Sequence, residues 1–103
     1  MYAIMTSIVW RDEARPSPES IVAGILPTLQ SIPGYEGFIS LSDPEGGYVV
    51  GITLWENEEA LAAAEPRLAK MRSAETRRGI ESATTTTLRV VELDLKQRPG
   101  SSS

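Results

Sequence analysis

The chemistry open to this chain is narrowed first by what it lacks: none of its 103 residues is histidine or cysteine. That removes the commonest general base and zinc ligand, the usual proximal haem ligand, and every thiolate nucleophile and disulfide. Any reaction must run on carboxylates, Arg, Lys, Tyr, Trp, hydroxyls or amides. The carboxylate pairs Asp12-Glu13 and Glu58-Glu59 look like acid–base dyads, but neighbours in sequence on a helix do not face each other. Scattered carboxylates without His or Cys support at most a weak magnesium or calcium contact, so no metal site is expected. Gly46-Gly47 follows a turn instead of joining a strand to a helix, so no phosphate-binding loop is present.

Charge and length narrow the partners. Fourteen acidic residues against ten basic ones leave a net charge of −4, and a nucleic-acid binder needs a basic face. The cluster Lys70, Arg72, Arg77, Arg78 lies in a helical segment, and its last two members sit where a helix carboxyl end favours cations. No run approaches the ~20 apolar residues that cross a bilayer, and the amino terminus lacks a signal-peptide layout, so a soluble, cytoplasmic protein without membrane contact is expected. A chain of this size, 41% hydrophobic, builds one core. Residues 1–96 are read as one domain, and 97–103, ending Arg-Pro-Gly-Ser-Ser-Ser, as a flexible polar tail.

The elements that would hold a site follow from periodicity. Residues 2–10 alternate, with Tyr2, Ile4, Ile8 and Trp10 on one face of a strand. Ser17-Pro18-Glu19 supplies an N-cap, a proline at the first helical position and an acid in the first turn. The stripe Ile21, Val22, Ile25, Leu26, Leu29 and Ile32 makes the helix that follows, weakened or bent at Gly24 and Pro27. Ile32-Pro33-Gly34 ends it. Tyr35 to Ser42, with Tyr35, Phe38, Ile39 and Leu41, and Tyr48 to Trp55 read as a hairpin around the turn Asp43-Pro44-Glu45-Gly46-Gly47. Asn57 caps a second helix whose seam is Leu61, Ala64, Leu68 and Met71, and Pro66 is expected to divide it. Gly79 stops that helix. Thr84 to Leu95 forms the last strand, with Val91, Leu93 and Leu95 on one face and Leu88 and Val90 on the other.

The order β-α-β-β-α-β predicts a ferredoxin-like α+β split fold: two helices on one face of a four-stranded antiparallel sheet. The other face stays uncovered. A chain this small cannot leave an apolar sheet face in water, so a symmetric homodimer through that face is expected.

Residues 32 to 64, Ile-Pro-Gly-Tyr-Glu-Gly-Phe through Gly-Ile-Thr-Leu-Trp-Glu-Asn-Glu-Glu-Ala-Leu, carry a Pro-Gly-aromatic-x-Gly entry to the second strand and a third strand ending in Trp before a polar cap. In this the chain resembles the antibiotic-biosynthesis-monooxygenase-like members of the dimeric α+β barrel superfamily. The resemblance implies the dimeric barrel and a small-molecule site. The family includes cofactor-free oxygenases of polycyclic phenols, haem-degrading enzymes and proteins with no assigned reaction. The haem branch relies on an Asn in the first strand and a Trp and a His in the second helix. Their matching places here are Ser7, Ala64 and Ala74, which argues for no haem and no other resident cofactor.

Cofactor-free oxygenation asks for less: a pocket between sheet and helices with aromatic walls and a few donors. The candidates are Tyr48, Trp55, Asn57 and Arg72. Each also has a structural role open to it: Trp55 as packing anchor, Asn57 as helix cap, Tyr48 as filler of a sheet face, Arg72 as a solvated charge or partner of Glu75. The resemblance therefore implies a small-molecule-binding protein, with cofactor-independent monooxygenation of a quinol or polycyclic phenol as one outcome. The other is a non-catalytic ligand-binding or assembly module of the same fold.

Overall fold

A computed structural model describes residues 1–11, 16–45, 47–76 and 80–96, with the side chains of 74–76 left out. Asp12-Glu13, Gly46, Arg77, Arg78, Gly79 and the tail 97–103 lie outside the described residues, as does the side chain of Glu75. The elements are β1 (Tyr2–Trp10), α1 (Pro18–Gln30), β2 (Tyr35–Ser42), β3 (Tyr48–Trp55), α2 (Glu58–Thr76) and β4 (Ile80–Arg89). The four strands form one sheet in the order β2-β3-β1-β4, every neighbouring pair antiparallel. This is the ferredoxin-like α+β arrangement expected from the element order.

The strand alternation decides what goes inside. In β1, Ile4, Ile8 and Trp10 share the face that the helices cover, and Ile4 and Trp10 are buried. The main core joins Ile4 to Leu29 and Ile32, to Trp55, and to the α2 seam of Leu61, Ala64 and Leu68. A second cluster, Trp10, Val49 and Ile80, sits at the other end of β1. Trp55 is 0% exposed and meets Tyr35 edge-on, ring centres 6.0 Å apart. That geometry suits the opposite charges of ring edge and ring face.

The caps form as the residue types dictate. Ser17 Oγ accepts from the Ser20 N–H at 3.1 Å with Pro18 opening the helix, and Asn57 Oδ1 accepts from the Ala60 N–H at 2.8 Å. Gly34, at φ 85°, makes the left-handed turn into β2, and its carbonyl accepts from the Glu56 N–H at 2.8 Å.

Two expectations need correction. Pro66 does not divide the second helix: α2 runs through it, as α1 runs through Pro27. The carbonyls deprived of a donor belong to Ala62 and Ala23, both on exposed residues where water can serve them. The last strand spans Ile80–Arg89, not Thr84 to Leu95. Arg89 pairs with Tyr2 at the start of β1, and the Val90 N–H reaches only Met1 O at 3.0 Å. Beyond that point residues 91–96 join no strand among the described residues, whatever their side-chain pattern.

No helix covers the far face of the sheet, although Ala3 and Leu54 at one end of it are buried. It carries Met5 and Val9 of β1, Tyr48, Val50 and Ile52 of β3, and Ile39 and Leu41 of β2, with Ile39, Leu41 and Tyr48 exposed. Among the described residues no helix is long and apolar enough to cross a membrane.

Candidate functional site

Between the sheet and the helices lies a cavity of about 100 Å³. Its floor is the helix-side stripe of the strands: Ile4, Thr6 and Ile8 from β1, Val49, Gly51 and Thr53 from β3, Phe38 and Ser40 from β2. Ile21, Ile25 and Leu29, spaced by four along α1, form one wall, and Leu68, Met71 and Arg72 of α2 form the other. Ile80 and Ala83 of β4 close one end. Gly51 makes the space, since a Cβ there would stand 3.5 Å from Phe38 Cε1 and take up volume now empty.

The lining is apolar, with a few polar groups. Thr6, Ser40 and Thr53 bring hydroxyls to the floor, and Arg72 brings a cation to the wall. Arg72 Nη2 donates to Glu65 Oε1, two turns earlier on α2, and the pair is partly buried. A guanidinium carries five N–H donors in a fixed fork, so it can serve a carboxylate and a ligand oxygen together. Thr53 Oγ1 accepts from Trp55 Nε1 at 2.9 Å.

Of the four candidates read from the sequence, only Arg72 lines the cavity. Trp55 points into the main core and reaches the site through its bond to Thr53. Asn57 is exposed and occupied as the cap of α2. Tyr48 pairs with Val9 and lies on the uncovered face, one residue out of phase with cavity-lining Val49. The structure does not bring the four together. Arg72 pairs with Glu65, and the Glu75 side chain expected as its partner lies outside the described residues.

What the sequence reading missed is the hydroxyl floor. Thr6 stands between Ile4 and Ile8 on one period-two face, and Thr53 between Gly51 and Trp55 on another. A polar residue interrupting an apolar stripe was the available signal. Ser7, the place matched to the haem branch's first-strand Asn, faces away from the cavity, and Thr6 is the residue presented to it.

Two tyrosines near the main core hold their protons more tightly than usual. Tyr2 is shifted upward by a hydrogen bond to Glu58 and by that carboxylate's charge, and Tyr35 by burial. Neither lines the cavity. Among the described residues no three metal-ligating side chains gather into a possible metal site.

No protein-family model matches the chain, and no curated protein matches it. Solved structures do. A candidate antibiotic biosynthesis monooxygenase from Deinococcus radiodurans is 13% identical with a TM-score of 0.75, over 95% of this chain and 100% of that one. The ActVA-Orf6 monooxygenase of Streptomyces coelicolor, solved with nanaomycin D, is 18% identical with a TM-score of 0.65, over 93% and 92%. The haem-degrader MhuD of Mycobacterium tuberculosis, solved with two haems in its active site, is 23% identical with a TM-score of 0.69, over 93% and 100%.

The residues here do not fit haem. The cavity lining has no imidazole, thiolate or phenolate to bind the iron, and its volume is far below the ~300–1,000 Å³ of ligand-sized pockets. Ala64, at the place matched to the haem branch's helix Trp, is buried in the core. Element order, sheet topology and overall superposition agree with one another: this chain has the fold of these antibiotic-biosynthesis-monooxygenase-like structures.

Proposed function

We propose that this protein binds a small, electron-rich aromatic molecule in the cavity beneath α1 and α2, and that it acts there as a cofactor-independent monooxygenase of a quinol or polycyclic phenol. The observation that carries the reading is a cation, Arg72, set in the wall of an otherwise apolar cavity. A phenol entering that space loses water. The apolar walls favour the ring, and the guanidinium favours the ionised oxygen over the neutral one.

The chemistry balances without a resident cofactor. The bound anion passes electrons to molecular oxygen, and one oxygen atom is added at the activated ring carbon. A methylene such as that of an anthrone becomes a carbonyl, and the second oxygen atom leaves as water. All four electrons come from the substrate. The protein's part is to lower the substrate's pKa, hold the ring against Phe38 and Met71, and exclude bulk water. The cavity volume favours the quinol end of the substrate class, and a polycyclic ligand requires the helices to move outward. In the working protein two copies meet through the uncovered sheet face, burying Ile39, Leu41 and Tyr48.

The test is oxygen uptake by the purified, metal-free protein against a panel of quinols and anthrones, alongside Arg72→Ala and Trp55→Phe. The reading expects uptake above the uncatalysed rate, reduced at least tenfold in folded Arg72→Ala. Trp55→Phe should lose stability first and activity only through Thr53. One observation favours the second reading, a non-catalytic binding module: the small cavity contains no titratable base. Tight binding of the panel with no oxygen uptake would establish that module instead.

A further inference from the structure

The hydroxyls on the cavity floor are set in a row. Gly51 is the Cα partner of Thr6 in β1 on one side and of Ser40 in β2 on the other, and all three residues line the cavity. Directly paired residues project to the same face of a sheet, so the two hydroxyls rise on either side of a position with no side chain. Among the described residues neither hydroxyl has a hydrogen-bond partner. Thr53, the third hydroxyl of the floor, is already engaged by Trp55 Nε1. A hydroxyl facing an apolar cavity gains most from a partner placed inside it.

The two ends of the row differ. α2, which carries Arg72, packs on β1, whereas α1 packs on β2. Thr6 is half-buried and lies on the Arg72 side of the floor. Ser40 is exposed and also borders the groove outside, lined by Pro18, Val22 and Pro44, so it stands at the mouth of the cavity.

We propose that Thr6 and Ser40 select the ligand by holding the two oxygens of a 1,4-dihydroxy aromatic ring laid across Gly51, the inner oxygen at Thr6 and the outer one at Ser40. The inference rests on the cavity being the ligand site, and it names the isomer and the residues that choose it. The spacing carries it. Two strand spacings of ~4.8 Å place Thr6 and Ser40 about 9.6 Å apart. The oxygens of a 1,4-diol are about 5.5 Å apart, and a hydrogen bond of ~2.8 Å at each end extends the span to roughly 8–11 Å, depending on the angle at oxygen. A 1,2-diol, with oxygens about 2.7 Å apart, reaches ~8.3 Å at most, and a phenol reaches one end only. A cavity of about 100 Å³, open at Ser40, takes a single ring, as an apolar cavity of ~150 Å³ takes a benzene. The inner oxygen is the one that Arg72 ionises, and the Thr6 hydroxyl donates to it.

The test is anaerobic calorimetry of the full chain with hydroquinone, catechol and phenol. Hydroquinone should bind about fivefold more tightly than either of the others, the effect of one net hydrogen bond. Ser40→Ala should bring hydroquinone down to the affinity of phenol and leave phenol unchanged. Thr6→Val, which keeps the branched shape and removes the hydroxyl, should weaken both. Ser7→Ala, on the opposite face, should alter none of the three. Equal affinity for hydroquinone and catechol, or a preference that survives Ser40→Ala, overturns the row and leaves the cavity standing as the ligand site. Binding of none of the three at millimolar concentration, or binding that Gly51→Val leaves intact, overturns both.

Discussion

Filling the cavity from its floor separates binding from folding. Gly51 is the position to use, because a Cβ built there meets Phe38 Cε1 at 3.5 Å and Cζ at 3.9 Å, ordinary contact and not a clash. Gly51→Val replaces the most flexible residue in a strand, a gain of roughly 0.5–1 kcal/mol for the Cβ alone. Its two methyls then occupy apolar space now empty, at about 0.8 kcal/mol per buried carbon. Strain from rotating Phe38 offsets part of this, so the expected net stabilisation is about 1 kcal/mol. For a chain of this size that raises Tm by roughly 4–8 °C. The same methyls exclude a ring from the cavity, and affinity for 1-naphthol or an anthrone, measured by calorimetry, should fall at least tenfold, with oxygen uptake falling in parallel. A Gly51→Val protein destabilised by ~1–3 kcal/mol, the usual cost of overpacking, would mean that the cavity does not exist. Undiminished ligand affinity in a stable variant would sink the claim that this cavity is the site.

Other consequences are local. Gly34→Ala should cost about 2–4 kcal/mol in urea unfolding, because φ is 85° and the new Cβ would stand 2.4 Å from Ala60 Cβ. Adding Ala60→Gly should recover the steric part and leave the conformational part. Asn57→Ala should lose about 1 kcal/mol of stability, read from the same denaturation curves, without altering ligand affinity, since its Oδ1 caps α2 away from the cavity. Tyr2 and Tyr35 both hold the proton more tightly folded than unfolded, so their contribution to stability is complete below pH ~10 and is lost as pH rises through the raised folded values. Ultraviolet difference titration should show these two tyrosines ionising above pH 10, and Glu58→Gln should bring Tyr2 back toward its ordinary value while leaving Tyr35 in place.

The fold was legible because each element's local signals pointed the same way. The Ser17 and Asn57 caps, the Gly34 turn and the α2 seam all act over a few residues, and each appears where the residue types put it. The site was less legible because it depends on phase. Tyr48 and Val49 are neighbours in sequence and lie on opposite faces of the sheet, and only the register with β1 says which of them meets the helices. Aromatic character drew attention to Tyr48 and Trp55, yet the cavity is lined by residues chosen for size and hydroxyl groups: Gly51, Thr6, Ser40, Thr53. Arg72 was found because a charge on the edge of an apolar helix seam stands out at any phase.

The end of the last strand involves a different physics. Alternation from Leu88 to Leu95 is a property of the side chains, whereas a strand exists only where a neighbour offers N–H and C=O groups. β1 begins at Tyr2, so the ladder along it stops at Arg89, although the pattern continues to Leu95. Side-chain pattern reports what a segment could pair with, and the length of its neighbour sets how much of that is realised within one chain. The rest of the pattern is left exposed, Val91 at 83% and Leu95 at 77%, because alternation without a neighbouring strand makes no ladder.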